Sequence, residues 1–361
     1  MKYFLVLFAM SSVLQSVCAQ SIPLFVGTYT HKGNSEGIYQ YSFDVSSGDA
    51  IMQSHFKTDN PSFLARNGQY IYAVNENEDG EVSAFKFSNS QFESLNQLST
   101  AGMHPCHVAL GIKEPILVVS NYSSGSLVLY SLSADGSIRK QEDLIRFTGT
   151  GPDMSRQKSA HVHSAFFNAT GDRLYVSDLG SDRVVEYTIA KKDDDYAFQQ
   201  ISEIKLKGGS GPRHVAVSGD GATLYVLAEL TGEVAVYQNT KANWQHRQTL
   251  PVYAEGFTGD QGGADVKISP DGKFLYATNR GDTNVIVHYK ILQNGRLEQM
   301  DVYSVEGKSP RNFNFSPEGN FILVTNQQSD EIVILKRDIK TGTLTDSKKR
   351  IAVGQPVCVI F

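Results

Sequence analysis

The chain repeats one pattern of apolar and polar positions at intervals of about fifty residues. Each copy holds a small polar cluster, a short apolar run, a turn with Gly, a second apolar run and a polar residue. The copies are Pro105–Asn121, His161–Asp178, Gly211–Glu229, Gly262–Arg280 and Ser309–Gln327, with a weaker one at Pro61–Glu76. Short strands at this period predict a β-propeller, because a blade buries both faces only when neighbouring blades pack against it.

Six complete units and the two chain ends together predict seven blades. Leu24–Thr28 and Gly37–Phe43 resemble second and third strands, but no first strand precedes them. Gln355–Phe361, at the other end, matches the first strand of the other units. We therefore predict an all-β, seven-bladed propeller in which the N- and C-terminal strands close one blade and hide its edges. Residues 20–361 are expected to form this single domain, since a propeller grows by adding blades.

Residues 1–19 have the features of a secretory signal peptide. Lys2 gives a positive start, Phe4–Leu14 is uncharged, and Val17-Cys18-Ala19 offers a cleavage site before Gln20. The apolar stretch is shorter than the roughly 20 residues that a membrane span requires. We expect an exported protein, periplasmic or extracellular, with no membrane segment.

Charge and cysteine content narrow the possible partners. The formal net charge is −5, or one unit more negative without Lys2, and the chain has no block of basic residues. This argues against nucleic acid and anionic membranes as partners.

After residue 19 the cysteines are Cys106 and Cys358, which fall in first strands of blades that are not neighbours. We expect two free, mostly buried thiols rather than a disulfide.

Charged and polar side chains collect at one end of the predicted channel, where each first strand starts and each second strand ends. One position near the start of the first strands holds His107, His163, His214 and Asp265, and the position before it holds Arg213 and Arg311. The ends of the second strands, and the positions just after them, hold Asn121, Asp178, Glu229 and Arg280. Residues that differ between blades on a repeated frame are typical of one binding site. Asn and Asp at strand ends are also common turn residues.

These segments resemble the lactonase family of seven-bladed propellers, whose best-known activity is 6-phosphogluconolactonase. The matching motifs cover the chain after residue 19 in the family's order. They are His104–Val108, Asn121–Gly125, His161–Ser164, Ser177–Gly180, Gly211–His214, Glu229-Leu230, Gly263–Asp265, Asn279–Gly281 and Pro310–Phe313.

The resemblance implies lactone hydrolysis at the channel mouth, by a His, two Arg and a Glu. In this chain these residues are His163, Arg213, Glu229 and Arg280. Ala228 departs from the family pattern, in which Asn commonly precedes the Glu. The best-known substrate belongs to the cytosolic pentose phosphate pathway. The predicted export therefore favours lactone hydrolysis in general over the phosphorylated sugar.

The residue types suit conversion of a sugar lactone to the sugar acid without a cofactor. Glu229 or His163 would act as general base, and Arg213 and Arg280 would stabilise the oxyanion. Arg156 lies in a polar insertion, Thr148–Ser159, that is expected to overhang the mouth. The expected substrate-binding residues are His107, Asn121, Arg156, Asp178, His214, Asp265 and Arg311.

A metal site and two other functions are the alternatives to this interpretation. The metal site would use His104, His107, His161, His163 and His214. We expect no metal, because Arg213 and Arg280 would crowd the same space. One alternative function is a cycloisomerase, similar to fungal muconate-lactonising propellers. The other is a non-catalytic exported propeller used for recognition. The sequence leaves the oligomeric state open.

Overall fold

The computed structural model describes residues 20–31, 33–240 and 243–361, so the predicted signal peptide lies outside the described residues. The described chain forms seven four-stranded antiparallel sheets, arranged as blades in a ring. The predicted seven-bladed propeller is confirmed. No helix in the described ranges is both long and apolar enough to cross a membrane.

Each blade runs from an innermost first strand to an outermost fourth strand. Blade 1 combines β28 with β1, β2 and β3, and each later blade takes the next four strands in chain order. The strands are β1 (Ser21–Thr28), β2 (Gly37–Asp44), β3 (Ala50–Lys57), β4 (Leu64–Asn67), β5 (Tyr70–Asn75), β6 (Glu81–Ser88), β7 (Gln91–Ser99), β8 (Pro105–Leu110), β9 (Ile116–Asn121), β10 (Ser126–Leu132), β11 (Ile138–Arg146), β12 (Val162–Phe167), β13 (Leu174–Asp178), β14 (Arg183–Lys192), β15 (Asp195–Lys205), β16 (Pro212–Val217), β17 (Thr223–Ala228), β18 (Glu233–Thr240), β19 (Asn243–Pro251), β20 (Gly263–Ile268), β21 (Phe274–Asn279), β22 (Val285–Ile291), β23 (Leu297–Ser304), β24 (Pro310–Phe315), β25 (Phe321–Asn326), β26 (Glu331–Arg337), β27 (Leu344–Ala352) and β28 (Pro356–Ile360). Short 3-10 helices follow the second strands of blades 4 and 7, at Leu179–Ser181 and Gln327–Ser329.

Both chain ends close blade 1, as predicted. β28 pairs antiparallel with β1, with Phe25 opposite Ile360 and Gly27 opposite Cys358. Gly27 also faces blade 2, where a Cβ at this position would lie 2.4 Å from the Pro61 carbonyl oxygen. A side chain at residue 27 would therefore push these two blades apart.

The apolar core is divided among the contacts between blades. Seven clusters of buried apolar side chains each combine residues from two neighbouring sheets. Between blades 3 and 4, for example, Val118 and Leu127 pack with Val162 and Val176. Because each sheet supplies one face to each neighbour, a single blade could not bury its apolar residues alone.

Asn side chains at the ends of second strands link blades together. The Nδ2 atom of Asn121 donates to Thr100 O at 3.0 Å, in the segment just after β7 of the preceding blade. Asn279 and Asn326 make the equivalent bonds to the carbonyl groups directly after β19 and β23, at 3.0 and 2.9 Å. Asn121 is fully buried in this link. Asn121 therefore has a structural role at this contact, and its expected contact with substrate stays a prediction.

Candidate active site

β-bulges decide which residues of the first strands face the channel mouth, the end where the first strands begin and the second strands end. In blade 4, Val162 pairs with Asp178 and Ser164 with Ser177, so His163 is the extra residue. In blade 5 the extra residue is Arg213. His163 therefore corresponds to Arg213, and the prediction that aligned it with His107 was wrong by one residue. A bulge changes the direction of the side chain that it carries, which explains why His163 and Arg213 meet.

Three of the predicted catalytic residues converge on the carboxylate of the fourth, Glu229. The Oε2 atom of Glu229 lies 3.0 Å from Nε of Arg213, 3.0 Å from Nη2 of Arg280 and 3.8 Å from Nε2 of His163. Its Oε1 atom lies 2.6 Å from Nη2 of Arg156, which reaches over from the insertion before blade 4. We call these five residues the Glu229 cluster. They come from three blades and one loop, so only the ring brings them together.

Backbone carbonyl groups of blade 6 hold both arginines in place. Arg280 donates from Nε to Gly262 O at 3.1 Å and from Nη2 to Gly263 O at 3.3 Å. Arg213 donates from Nη1 to Ala264 O. The Nε–H group of Arg213 contacts Glu229 without hydrogen-bond alignment, and it has no other acceptor among the described residues. That N–H group can therefore donate to a bound oxygen atom.

Burial and the crowding of charges set the protonation states of the cluster. Burial acts to raise the pKa of Glu229, but Arg280, Arg213 and the other cations hold it well below its usual range. Burial, and then the charge of Arg213, lower the pKa of His163 well below its ordinary value. Burial and the neighbouring Arg280 and Arg311 lower the pKa of Arg213 to about 9. At neutral pH the carboxylate is therefore ionised, the imidazole is neutral and the arginines are cationic.

A second set of polar residues lines a cavity of about 530 Å³ at the mouth. Arg311 donates from Nη2 to the hydroxyl oxygen of Tyr29 at 2.8 Å, and Tyr29 donates to Oε2 of Glu76 at 2.9 Å. The Arg311 guanidinium also lies 5.3 Å from the Tyr29 ring centroid. Arg311 was an expected site residue, whereas Tyr29 and Glu76 were missed. Both directly follow a second strand, as Glu229 does, and this shared position is the signal that could have found them.

Comparisons with known proteins agree with this fold. The family described as lactonase, 7-bladed beta-propeller matches residues 23–361. The chain belongs to this lactonase family.

Relatives match this lactonase-family chain over almost its whole length. A Formosa agariphila protein named 6-phosphogluconolactonase is 34% identical over 341 residues, which cover 91% of this chain and 96% of the relative. A Bacillus subtilis protein of the same name is 31% identical over 347 residues, covering 93% and 97%. The solved structure of Pseudomonas aeruginosa periplasmic gluconolactonase matches with a TM-score of 0.88 at 32% identity, covering 94% of this chain and 99% of that one.

A polar layer lies behind the Glu229 cluster of this lactonase-family propeller. Nδ1 of His214 lies 2.8 Å from Oδ1 of Asp265, and Asn312 donates from Nδ2 to Oδ2 of the same carboxylate at 2.7 Å. The His107 ring lies 4.3 Å from the Phe63 ring and 5.6 Å from the His214 ring, between centroids. The three expected sugar-binding residues His107, His214 and Asp265 are almost fully buried. They are therefore placed to support the residues at the mouth.

Asp178 has a local structural role. Its Oδ1 atom accepts hydrogen bonds from His161 N at 2.8 Å and Gly180 N at 3.1 Å, at the start of a 3-10 helix. Its Oδ2 atom accepts from Ser181 Oγ and from Arg183 Nε, the latter at 3.2 Å. All of these donors belong to blade 4, and the carboxylate is fully buried. The expected contact of Asp178 with the sugar stays a prediction.

Both cysteines of the described chain are free and buried, as predicted. The Sγ atom of Cys106 donates to His163 O at 3.2 Å, and burial raises the pKa of this thiol. Within residues 20–31, 33–240 and 243–361, no three His, Cys, Asp or Glu side chains converge as a metal site would require.

Proposed function

We propose that the protein hydrolyses a sugar lactone to the open-chain sugar acid. The Glu229 cluster carries this proposal, because it combines a buried carboxylate, a neutral imidazole and three guanidinium groups at the channel mouth. Hydrolysis of a cyclic ester requires a base for the attacking water and fixed positive charge for the oxyanion. The names of the relatives, 6-phosphogluconolactonase and gluconolactonase, support the same chemistry.

Arg213 and Arg280 are assigned to the oxyanion. Water attacks the lactone carbonyl carbon, the carbonyl oxygen becomes negative, and the bond to the ring oxygen then breaks. Backbone carbonyl groups already fix both guanidinium groups, so little reorganisation is needed as this charge develops. Loss of one such donor typically reduces turnover by about 10²- to 10³-fold.

Glu229 and His163 are the two candidates for the base. The base takes a proton from the attacking water and returns it to the ring oxygen, which leaves as a hydroxyl group. The arginines that hold the pKa of Glu229 low make it a weak base before the reaction begins. As the oxyanion forms, it shares the field of Arg213 and Arg280, and the proton affinity of Glu229 rises at the step that needs it. His163, which is neutral and 3.8 Å away, is the alternative acceptor.

The charge at the mouth bears on whether the substrate carries a phosphate group. The Glu229 cluster has three arginines and one glutamate, an excess of two positive charges. Arg311 adds another cation at the neighbouring cavity, where Glu76 balances it through Tyr29. The substrate assigned to this mouth is a gluconolactone, and a phosphate group on it would gain from the surplus cations.

The decisive experiment is a lactone panel at controlled pH. Phosphorylated and unphosphorylated gluconolactone are compared side by side, with each rate corrected for spontaneous ring opening. We expect enzyme-dependent hydrolysis of at least one, and its loss in Arg280→Ala. A carboxylate-bearing diene is included to test for lactonising activity. If no lactone is opened faster than in buffer, the proposed hydrolase function is wrong.

The two candidate bases are separated by pH profiles. Glu229→Gln removes one base and His163→Asn removes the other. If Glu229 is the base, its substitution abolishes turnover and the pH dependence assigned to it, while His163→Asn keeps the profile. An unchanged profile in Glu229→Gln would assign the proton transfer to His163.

We also propose that the protein is exported by the signal sequence of residues 1–19. The positive start, the uncharged stretch and the small-residue site before Gln20 support this location. The test is expression of the full chain, followed by N-terminal sequencing of protein from the cytosolic and exported fractions. Exported protein that begins at Gln20 is the expected result. Uncleaved protein confined to the cytosol would overturn the proposal.

A further inference from the structure

The contact between blades 4 and 5 lacks the Asn link found elsewhere in the ring. Ala228 pairs with Pro212 just as Asn121 pairs with Pro105, so both occupy the end of a second strand. The carbonyl group that an Asn at residue 228 would reach belongs to Leu206, directly after β15. Alanine has no donor, so the Leu206 oxygen, equivalent by chain position to the acceptors of the Asn links, receives no bond from residue 228.

A cavity of about 430 Å³ occupies this position, and we call it the blade 4–5 cavity. Its volume falls within the range of about 300–1,000 Å³ that is usual for small-molecule sites. Leu206, Ser210, Ala228 and Tyr237 are among its lining residues. Small side chains, an aromatic ring and hydroxyl groups thus line the cavity together with Leu206.

Charges of both signs line the same cavity. Lys205 is the last residue of β15 in blade 4, Lys207 lies two residues after it, and Glu233 begins the third strand of blade 5. Lys205 is largely exposed and pairs with Glu203 only at 3.8 Å, so its ammonium group can turn to another anion. Cations and an anion around one cavity suit a zwitterion, whose carboxylate and ammonium groups need partners of opposite charge.

We propose that the blade 4–5 cavity binds a small amino acid with a primary carboxamide, the chemistry that glutamine and asparagine share. The carboxamide takes the place of the Asn side chain and donates its N–H to Leu206 O. The α-carboxylate faces Lys205 and Lys207, and the α-ammonium faces Glu233. The same amide group that links other blades is thereby supplied by a ligand.

The cavity lies behind the backbone of the Glu229 cluster without including its side chains. Ala228 directly precedes Glu229, and Glu229 N donates to Gly211 O at 2.7 Å, close to Arg213 in the chain. No member of the cluster lines the cavity. The site therefore goes beyond the proposed hydrolysis, and binding can be measured whether or not a lactone is turned over.

The test is titration calorimetry, together with thermal unfolding, using L-glutamine, L-asparagine and L-glutamate. We expect saturable binding of glutamine or asparagine and a higher unfolding temperature at saturation. Glutamate should bind at least about tenfold more weakly, because its carboxylate cannot donate to Leu206 O. If neither amide binds saturably, or if glutamate binds as well, the assignment is wrong.

Ala228→Asn is the decisive variant, because its own carboxamide should fill the cavity. It should lose amide binding and, without ligand, unfold at a higher temperature than the unaltered protein. Ala197→Asn, at an exposed position of β15, is the matched control and should bind like the unaltered protein. Lys207→Ala, at another exposed position, should weaken binding several-fold even if Ala228→Asn fails to fold. Undiminished binding in Lys207→Ala, or in folded Ala228→Asn, would overturn the proposal.

Discussion

The Nδ1 atom of His214 lies 2.8 Å from Oδ1 of Asp265. Burial, and then the charge of Arg213, lower the pKa of His214 well below its ordinary value, so the ring is neutral. The carboxylate accepts the Nδ1–H proton, which leaves a lone pair on Nε2. That Nε2 atom is 3.3 Å from Nη1 of Arg213. Asp265 therefore positions Arg213 through His214 without reaching the mouth itself.

Asp265→Asn should reduce kcat for lactone hydrolysis by at least about tenfold and change KM less. An amide at residue 265 can donate to Nδ1, which moves the ring proton to Nε2, where it opposes the Arg213 donor. Such second-layer changes typically cost about ten- to a hundredfold in activity. Steady-state kinetics measure the effect. Lys267→Ala is the control, because Lys267 approaches only the other carboxylate oxygen, at 3.4 Å. Unaltered kcat in Asp265→Asn would remove this positioning role.

Arg280→Ala should lower turnover by about a hundredfold or more while unfolding stays cooperative. Arg280 is assigned to the oxyanion, and its side chain is partly exposed at the mouth, so it contributes little to packing. Initial rates and thermal unfolding measure the two effects. Arg350→Ala, which removes a surface ion pair with Asp346 in blade 7, is the control and should retain activity. Activity that survives in Arg280→Ala would refute the oxyanion assignment.

Glu229→Gln should destabilise the protein at neutral pH by about 3–5 kcal/mol, because it leaves the buried Arg213 without its counterion. The pKa of Glu229 is lowered in the folded state. The contribution of the Glu229 carboxylate to stability is therefore fully present above the unfolded pKa of about 4.3. It is lost as pH falls through the lower pKa of the folded state. Urea unfolding should show a difference in the free energy of unfolding between the two proteins. This difference should be constant from pH 8 to pH 5 and narrow only in stronger acid.

Glu203→Gln is the control for this measurement. Glu203 pairs with Arg183 and Lys205 at the surface, and its loss should cost less than about 1 kcal/mol. If the difference in the free energy of unfolding between Glu229→Gln and the unaltered protein already disappears between pH 7 and pH 5, the arginines do not lower the pKa of Glu229.

Asn121→Ala should reduce stability by about 1–3 kcal/mol and leave kcat/KM unchanged. The substitution removes the bond to Thr100 O and leaves that carbonyl group without this donor between blades 2 and 3. Urea unfolding and lactone kinetics, measured on the same preparation, separate the two effects. A fall in kcat/KM with little change in stability would show that Asn121 binds substrate.

Much of the fold could be predicted because the propeller repeats a local pattern. Apolar runs separated by Gly turns marked the first two strands of most blades, and the unmatched strand at Gln355–Phe361 revealed the closure of blade 1. The convergence of Glu229 with Arg213 and Arg280 also followed, since strand ends at one face of a ring must lie together. These inferences needed only chain order and strand direction.

Other features depend on how the strands pair, which the sequence of a single strand does not indicate. Blades 3, 4 and 5 have their bulges at equivalent positions, so His163 corresponds to Cys106 and Arg213, and only the strand pairing shows this alignment. Asn121 and Asp178 look like site residues because they are polar and lie at strand ends. Only the hydrogen bonds show that their side chains turn to neighbouring donors and acceptors within the protein.

Removal of residues 356–361 should abolish cooperative folding. These residues contain β28, which forms the first strand of blade 1, and Val357, Cys358 and Val359 are almost fully buried. Without β28, β1 presents an unpaired edge to the channel and the apolar contacts on both sides of blade 1 open. Size-exclusion chromatography and thermal unfolding should show aggregation and no sharp transition. The control is Phe361→Ala, which removes the ring that lies 5.2 Å from the Phe43 ring but leaves the β28 pairing intact. The control should stay monodisperse and unfold cooperatively, whereas a truncated chain that did the same would show that the ring does not depend on closure by its two ends.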